Sequence, residues 1–392
     1  MCRLKVILVF FLCFFSSLSN LFADDLVDKN FLLQVLDQLK KKKNFDDNLQ
    51  NLKEEQKKFW SQISPYSYDD LFKSNEGSEN TVFPYNFLYQ RGRFLTHEDE
   101  SKSRLSRCYK VFVNKKNQMT KVSYGGMRTS TPRSYKKQPG WTFSYCVGED
   151  VESDDESVLY FFHGAVGSIQ NWVNRRALAT LRHIWRKQSK LPKWVSISLG
   201  RLSLAADRGN EEKILETIIP YVENELGPLS SKPIKKRYGL GVSLGGANLT
   251  HLLLKKQNFF HSAALICPAI SVVEHASSNK EIARYLERTK AYGLLIKTVL
   301  HLLPPSFKDK NYYRSVDPLI LGQTLFGPQT ASLYVQTSSR DEFGFQEGGK
   351  LLAMLARGRG VDVSYDELEG SHCVVDPKRI VSFFHKKPSS RM

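Results

Sequence analysis

A mostly parallel β-sheet covered by helices on both faces is the fold class this sequence predicts. Three observations carry it. Strand-sized apolar runs alternate with longer stretches of helical period from Val158 to Phe384, the pattern of an α/β sheet. Gly241-Val242-Ser243-Leu244-Gly245 stands where one apolar run turns into one such helix. His163-Gly164-Ala165 follows an earlier apolar run.

Along the chain, Arg3 and Lys5 precede an apolar run from Val6 to Phe15 and small residues from Ser16 to Ala23. Basic start, short apolar core and small residues make residues 1–23 a secretory signal, cut after Ser19 or Ala23. The run is too short to span a bilayer comfortably. Export is therefore expected, to a periplasm or beyond the cell. Residues 24–104 read as an N-terminal extension. Phe31, Leu32, Val35, Leu36 and Leu39, and more loosely Leu49, Leu52, Phe59 and Trp60, give it the period of a pair of helices from Leu26 to Trp60, and no clear period follows up to Arg104.

The main domain is expected over residues 105–386. It opens with strands from Cys108 to Val113, Trp141 to Val147 and Val158 to Phe162, with a hairpin or loop between the first two. A helix from Asn171 to Lys187 and a strand from Trp194 to Leu199 follow. The next helix opens at Asn210, closes at Gly227 and should kink at Pro220. Then come the strand into Ser243, the helix out of it, and a strand from Ser262 to Cys267. Residues 274–330 break the rhythm with two helical pieces (Ile282 to Tyr292, Leu294 to Leu303), a Pro304-Pro305 stop and an aromatic, polar loop. An insertion at that point could act as a lid over the strand ends. The strand from Ser332 to Thr337, the helix from Phe345 to Arg357, the strand from Val361 to Leu368 and a helix from Pro377 to Phe384 complete the domain. Residues 387–392 read as a disordered tail.

Composition narrows the classes of function. The 392 residues are 41% hydrophobic and 25% charged, ordinary for a globular protein. The net charge of +17 is spread over many lysines, with small clusters at Lys40 to Lys43, Lys115-Lys116 and Lys235-Lys236. A dispersed excess argues for a basic surface rather than a nucleic-acid groove, and fits peripheral contact with anionic envelope surfaces. Loss of the leader removes Cys2 and Cys13 and leaves Cys108, Cys146, Cys267 and Cys373. In an oxidising compartment these allow three pairings. Cys108 with Cys146 is preferred because both lie in neighbouring early strands, and four buried thiols are the alternative. No spacing suits zinc, and neither a metal nor an organic cofactor is implied.

The pentapeptide carries the chemistry. A serine between two glycines, on a tight turn from strand to helix, is held out as a nucleophile. The glycines let strand and helix backbones approach closely, and the helix N-terminus favours negative charge beside the serine. From about Cys108 to Phe384 the chain resembles the α/β-hydrolase superfamily. Within it, the chain is most similar to the esterase branch that includes S-formylglutathione hydrolases, feruloyl esterases and mycolyltransferases.

That resemblance implies a serine hydrolase acting on a small-molecule ester, with site residues in a set order. Ser243 matches the nucleophile. His372, in the Glu369-Gly370-Ser371-His372 loop after the final strand, matches the base. Asp341, after the preceding strand, matches the acid that orients the imidazole, with Glu342 and then Glu274 as alternatives. The backbone N–H groups of Leu244 and Ala165, the latter next to Val166, match the oxyanion donors. Acyl transfer, thioester or peptide hydrolysis on the same triad, and binding on a non-catalytic fold, are the other readings.

Overall fold

The computed structural model describes residues 83–84, 107–123, 140–148, 154–165, 169, 176–200, 204–207, 209–226, 233–274, 277–291 and 305–386. Chain contacts divide the protein into two units, residues 1–75 with 86–92, and residues 76–85 with 93–392. The first unit, with the expected signal and extension helices, lies outside the described residues, as do the expected helix from Leu294 to Leu303 and the tail 387–392. Among the described residues, no helix is long and apolar enough to cross a membrane.

In chain order the strands are β1 (Phe83–Pro84), β2 (Arg107–Val113), β3 (Met119–Ser123), β4 (Trp141–Gly148), β5 (Asp154–Phe162), β6 (Pro192–Ser198), β7 (Lys236–Val242), β8 (Ser262–Ile266), β9 (Ser332–Ser338), β10 (Val363–Leu368) and β11 (Val374–Val375). Nine of them form one sheet, ordered β3-β2-β4-β6-β5-β7-β8-β9-β10. From β6 to β10 every neighbouring pair is parallel, whereas β2, β3 and β4 run antiparallel to their neighbours. The chain starts near one edge, reverses between β5 and β6, and then steps outward through β7, β8, β9 and β10. This is the α/β-hydrolase fold. β1 and β11 form a separate antiparallel pair, too short to leave a sequence signal.

The helices are α1 (Arg176–Gln188), α2 (Asn210–Glu212), α3 (Ile219–Leu226), α4 (Leu244–Lys255), α5 (Asn279–Thr289), α6 (Lys310–Val316), α7 (Pro318–Leu325), α8 (Phe345–Gly358) and α9 (Pro377–His385). Side chains alternate across the sheet, so each central strand feeds two cores. Val158, Tyr160, Phe162, Ala263, Leu265, Leu333 and Val335 pack with residues of α3, α4 and α8. Leu159, Phe161, Leu240, Val242, Ala264, Ile266 and Tyr334 pack with Leu181, Ile184 and Trp185 of α1 and Ile380, Val381 and Phe384 of α9. Full burial of one such side chain is worth about 1.5–3 kcal/mol, which fixes strand register wherever both faces are covered.

Two expectations need correcting. The kink at Pro220 takes the form of a π-helical segment, Lys213–Ile218, between α2 and α3. Proline has no N–H for the carbonyl four residues back and its ring crowds that carbonyl, and a wider turn ahead of it relieves both. The aromatic, polar loop in the insertion is largely helical, as α6 and α7. Their starts are capped by Asp309, which accepts from the Tyr312 N–H, and by Asp317, which accepts from the Leu319 N–H ahead of Pro318. An aspartate followed by proline is a helix-start signal that outweighs the weak apolar period there.

The turn at Ser243 depends on close packing. A β-carbon on Gly241 would collide with the Gly245 carbonyl, and one on Gly245 with the carbonyls of Phe162 and His163. The Gly245→Ala variant is expected to lose about 1–3 kcal/mol of unfolding free energy, read as a lower midpoint in urea, because backbone on both sides cannot move away.

Candidate active site

Ser243 ends the turn between β7 and α4 with φ 53 and ψ −116. A side-chain-bearing residue is rarely stable in that left-handed region, and here hydrogen bonds hold it. Its N–H donates to the Ile266 carbonyl at 2.8 Å, and its own carbonyl accepts from Ala247 at 3.1 Å and Ala269 at 2.9 Å. The side chain is 2% exposed.

The loops after β9 and β10 bring two more groups to it. His372 Nε2 lies 2.9 Å from Ser243 Oγ, and His372 Nδ1 lies 2.6 Å from Asp341 Oδ2. The other carboxylate oxygen of Asp341 accepts from the Phe343 N–H at 2.9 Å. Asp341 is 1% and His372 6% exposed. With a carboxylate on Nδ1, the neutral ring carries its proton there, leaving Nε2 as the acceptor that faces the serine. Phe343 and Phe345 stand against the imidazole, with ring centroids 4.9 and 5.7 Å away.

Of the three expected acids, only Asp341 meets the imidazole. Glu342 instead accepts from the His372 backbone N–H at 2.8 Å. Burial first, and the Asp341 charge second, raise its pKa from 4.5 to about 7. Glu274 lies 3.8 Å from the Arg314 guanidinium, and its backbone N–H donates to Ser277 Oγ. Arg340 pairs with Glu369 at 3.1 Å.

Leu244 opens α4, and Ala165 lies in the loop after β5. The Gly245 contact with the Phe162 and His163 carbonyls seats the turn against the root of that loop. His163 shapes the loop: its Nδ1 lies 2.7 Å from the Gly164 carbonyl and its Nε2 2.7 Å from Ser198 Oγ at the end of β6. Val166 lies outside the described residues.

Sequence reasoning missed two supports. Tyr285 of α5, in the insertion, donates its hydroxyl to the Phe343 carbonyl at 2.8 Å, and Arg288 on the same helix pairs with Glu347 of α8 at 2.8 Å. The described start of the insertion is thus braced against the acid loop. Cys373, directly after His372, forms a disulfide with Cys267 just past β8. The dipeptide His372-Cys373 was the available signal. Cys108 and Cys146, directly opposite on β2 and β4, form the other disulfide, as preferred from sequence. Ligand atoms of Cys267, His372 and Cys373 lie within 4.8 Å of one another, but sulfurs joined to each other are not the thiolates a metal needs.

No model of a known protein family matches the chain, and no curated protein does. Solved structures do. Their descriptions are of esterases. A ferulic acid esterase aligns at 14% identity and TM-score 0.44 over 62% of this chain and 89% of its own. One of two fungal esterases from Rhizomucor miehei aligns at 17% and 0.47 over 65% and 80%. Brefeldin A esterase, a bacterial homologue of human hormone-sensitive lipase, aligns at 14% and 0.47 over 71% and 72%. Likenesses this distant carry no argument about the reaction, which has to come from the site.

Glu342 gives a pH test. Its raised pKa means that the folded state holds the proton more tightly than the unfolded chain, so stability is lost as pH rises from about 4.5 to about 7. Wild type should lose more thermal stability than Glu342→Gln between pH 5 and pH 8, measured as the change in Tm for each.

Proposed function

We propose that this protein is an exported serine hydrolase of the esterase branch that cleaves carboxylic esters through an acyl-enzyme. The observation that carries the reading is the unbroken chain from Asp341 Oδ2 through His372 to Ser243 Oγ, with spacings of 2.6 and 2.9 Å. A serine hydroxyl is a weak nucleophile until a base takes its proton, and this geometry supplies the base with its tautomer fixed.

In the first step Ser243 Oγ bonds to the ester carbonyl carbon while His372 Nε2 takes the serine proton. Asp341 stabilises the resulting imidazolium and keeps its own charge. The negative oxygen that develops is assigned to the backbone N–H groups of Leu244 and Ala165. As the tetrahedral species collapses, the ester C–O bond breaks and His372 returns the proton to the departing alcohol. Water then repeats the sequence, with His372 taking its proton, and releases the acid and free Ser243.

Around this centre the surroundings are apolar. Leu244, Tyr312 and Tyr313 each pack against a cluster of Leu204, Ala206 and Phe307, and Phe343 and Phe345 flank the base. These groups favour an apolar acyl or alkyl portion over a charged one. Two disulfides fit an oxidising compartment and support export. The +17 charge extends the proposal to peripheral contact with anionic envelope polymers.

Hydrolysis of p-nitrophenyl esters of increasing acyl length tests the reading. Ser243→Ala and His372→Ala should each lose at least about 10⁴-fold in kcat, and Asp341→Asn about 10³–10⁴-fold. Glu342→Gln should cost far less than Asp341→Asn, and the reverse order would move the acid to Glu342. Wild-type activity no higher than that of Ser243→Ala on every ester would end the hydrolase reading.

A further inference from the structure

The second disulfide lies against the nitrogen that faces the serine. Cys373 Sγ is 3.3 Å from His372 Nε2, and that same atom is 2.9 Å from Ser243 Oγ. Cys267 and Cys373 are buried, at 1% and 0% exposure, and both hold a left-handed backbone, with φ 41 and φ 61. The Cys267 N–H donates to the Gln336 carbonyl of β9. Two residues on, the Ala269 N–H donates to the Ser243 carbonyl. One cross-link therefore ties the histidine loop to the short segment that also holds the serine turn.

We propose that the Cys267–Cys373 disulfide is a redox gate on the Ser243–His372 pair, open when oxidised and closed when reduced. The gate rests on the serine hydrolase reading and specifies when that site works. A disulfide sulfur carries no proton to give to Nε2, so the serine hydroxyl remains the proton donor that Nε2 faces. A dithiol reductant changes this. It gives up two electrons and two protons and becomes a disulfide, while the Cys267–Cys373 bond breaks and each sulfur gains a proton.

The Cys373 thiol then lies within reach of Nε2 and is a far stronger acid than a serine hydroxyl. Its S–H bond breaks, an N–H bond forms on Nε2, and a thiolate–imidazolium pair results. Asp341 on Nδ1 stabilises the cation, and the ring can no longer take a proton from Ser243. Glu342, on the His372 backbone N–H, is a further ionisable group beside it among the described residues. A chain made in a reducing compartment would thus stay silent as a hydrolase and become active once export lets the disulfide form.

The test compares, in the full-length protein, Cys267→Ala with Cys267→Ala/Cys373→Ala. Both lack the cross-link, and they differ by one sulfur beside the imidazole. The single variant should hydrolyse p-nitrophenyl esters at least about a hundredfold more slowly than the double variant, the lower end of what a general base contributes. The thiolate ultraviolet absorbance of the single variant, with that of the double subtracted, should rise with a midpoint below about 7.5 and move towards about 8.5 when His372→Ala is added.

Dithiothreitol should silence the wild type reversibly. It should leave the double variant unchanged, which excludes an effect through Cys108–Cys146. Equal rates for single and double variants, with a thiolate midpoint at or above the ordinary value, would overturn the gate and leave a purely structural cross-link. Should the double variant fail to fold, wild type that keeps full activity after mass spectrometry shows Cys267 and Cys373 reduced would overturn it equally. A low thiolate midpoint in a protein whose oxidised wild type has no esterase activity would instead sink the hydrolase reading and leave the thiol–imidazole pair standing.

Discussion

The close approach of three backbones at Ser243 is the constraint on which the rest of the site depends. The end of β7, the start of α4 and the end of β5 meet where a side chain on Gly241 or Gly245 would strike a carbonyl. That crowding forces Ser243 into φ 53, and the conformation persists because β8 and the segment after it hydrogen-bond the serine backbone on both sides. Steric exclusion selects glycine, glycine permits the turn, and the turn leaves Oγ 2.9 Å from His372 Nε2. The same contact seats the loop that starts at His163 beside the helix N-terminus, where the proposed mechanism assigns its oxyanion donors.

The other half of the site comes from two loops at neighbouring strand ends. Parallel pairing of β9 and β10 in register sets the Asp341 and His372 loops side by side, and backbone contacts then fix them. Arg340 N–H donates to the Gly370 carbonyl and Ser339 N–H to the Leu368 carbonyl. Glu342 holds the His372 N–H, and Tyr285 holds the Phe343 carbonyl. The two adjacent acids thus divide the work, Asp341 on the ring and Glu342 on the backbone behind it. Burial and the neighbouring Asp341 charge raise the pKa of Glu342 to about 7. The Cys267–Cys373 bond closes the circuit from this loop back to the serine turn.

Much of this was legible in the sequence because its causes are local. The alternation of apolar runs and helical stretches gave the sheet, since period and length are decided within each segment. Gly241, Ser243 and Gly245 gave the turn. His372 and Asp341 were matched through the family resemblance by their places after successive strands, and His372 meets Ser243 on one nitrogen and Asp341 on the other. Distance in the chain hid the rest. Cys267 with Cys373 was among the allowed pairings, but across 106 residues nothing local placed that bond beside the histidine, and a two-residue strand such as β11 has no period to read. Helices α6 and α7 were obscured because their apolar period is weak and their caps, Asp309 and Asp317, carry the signal instead. Glu342 and Asp341 are adjacent and chemically alike, and only the fold could assign them different partners.

The most direct test of the central claim is to find where a serine-directed reagent bonds. Full-length oxidised protein would be treated with a fluorophosphonate, digested, and its peptides mapped by mass spectrometry. The account predicts one phosphonyl adduct, on Ser243, abolished by His372→Ala although the serine is still present. An adduct on another residue, or no adduct on a folded protein with both disulfides intact, would contradict it.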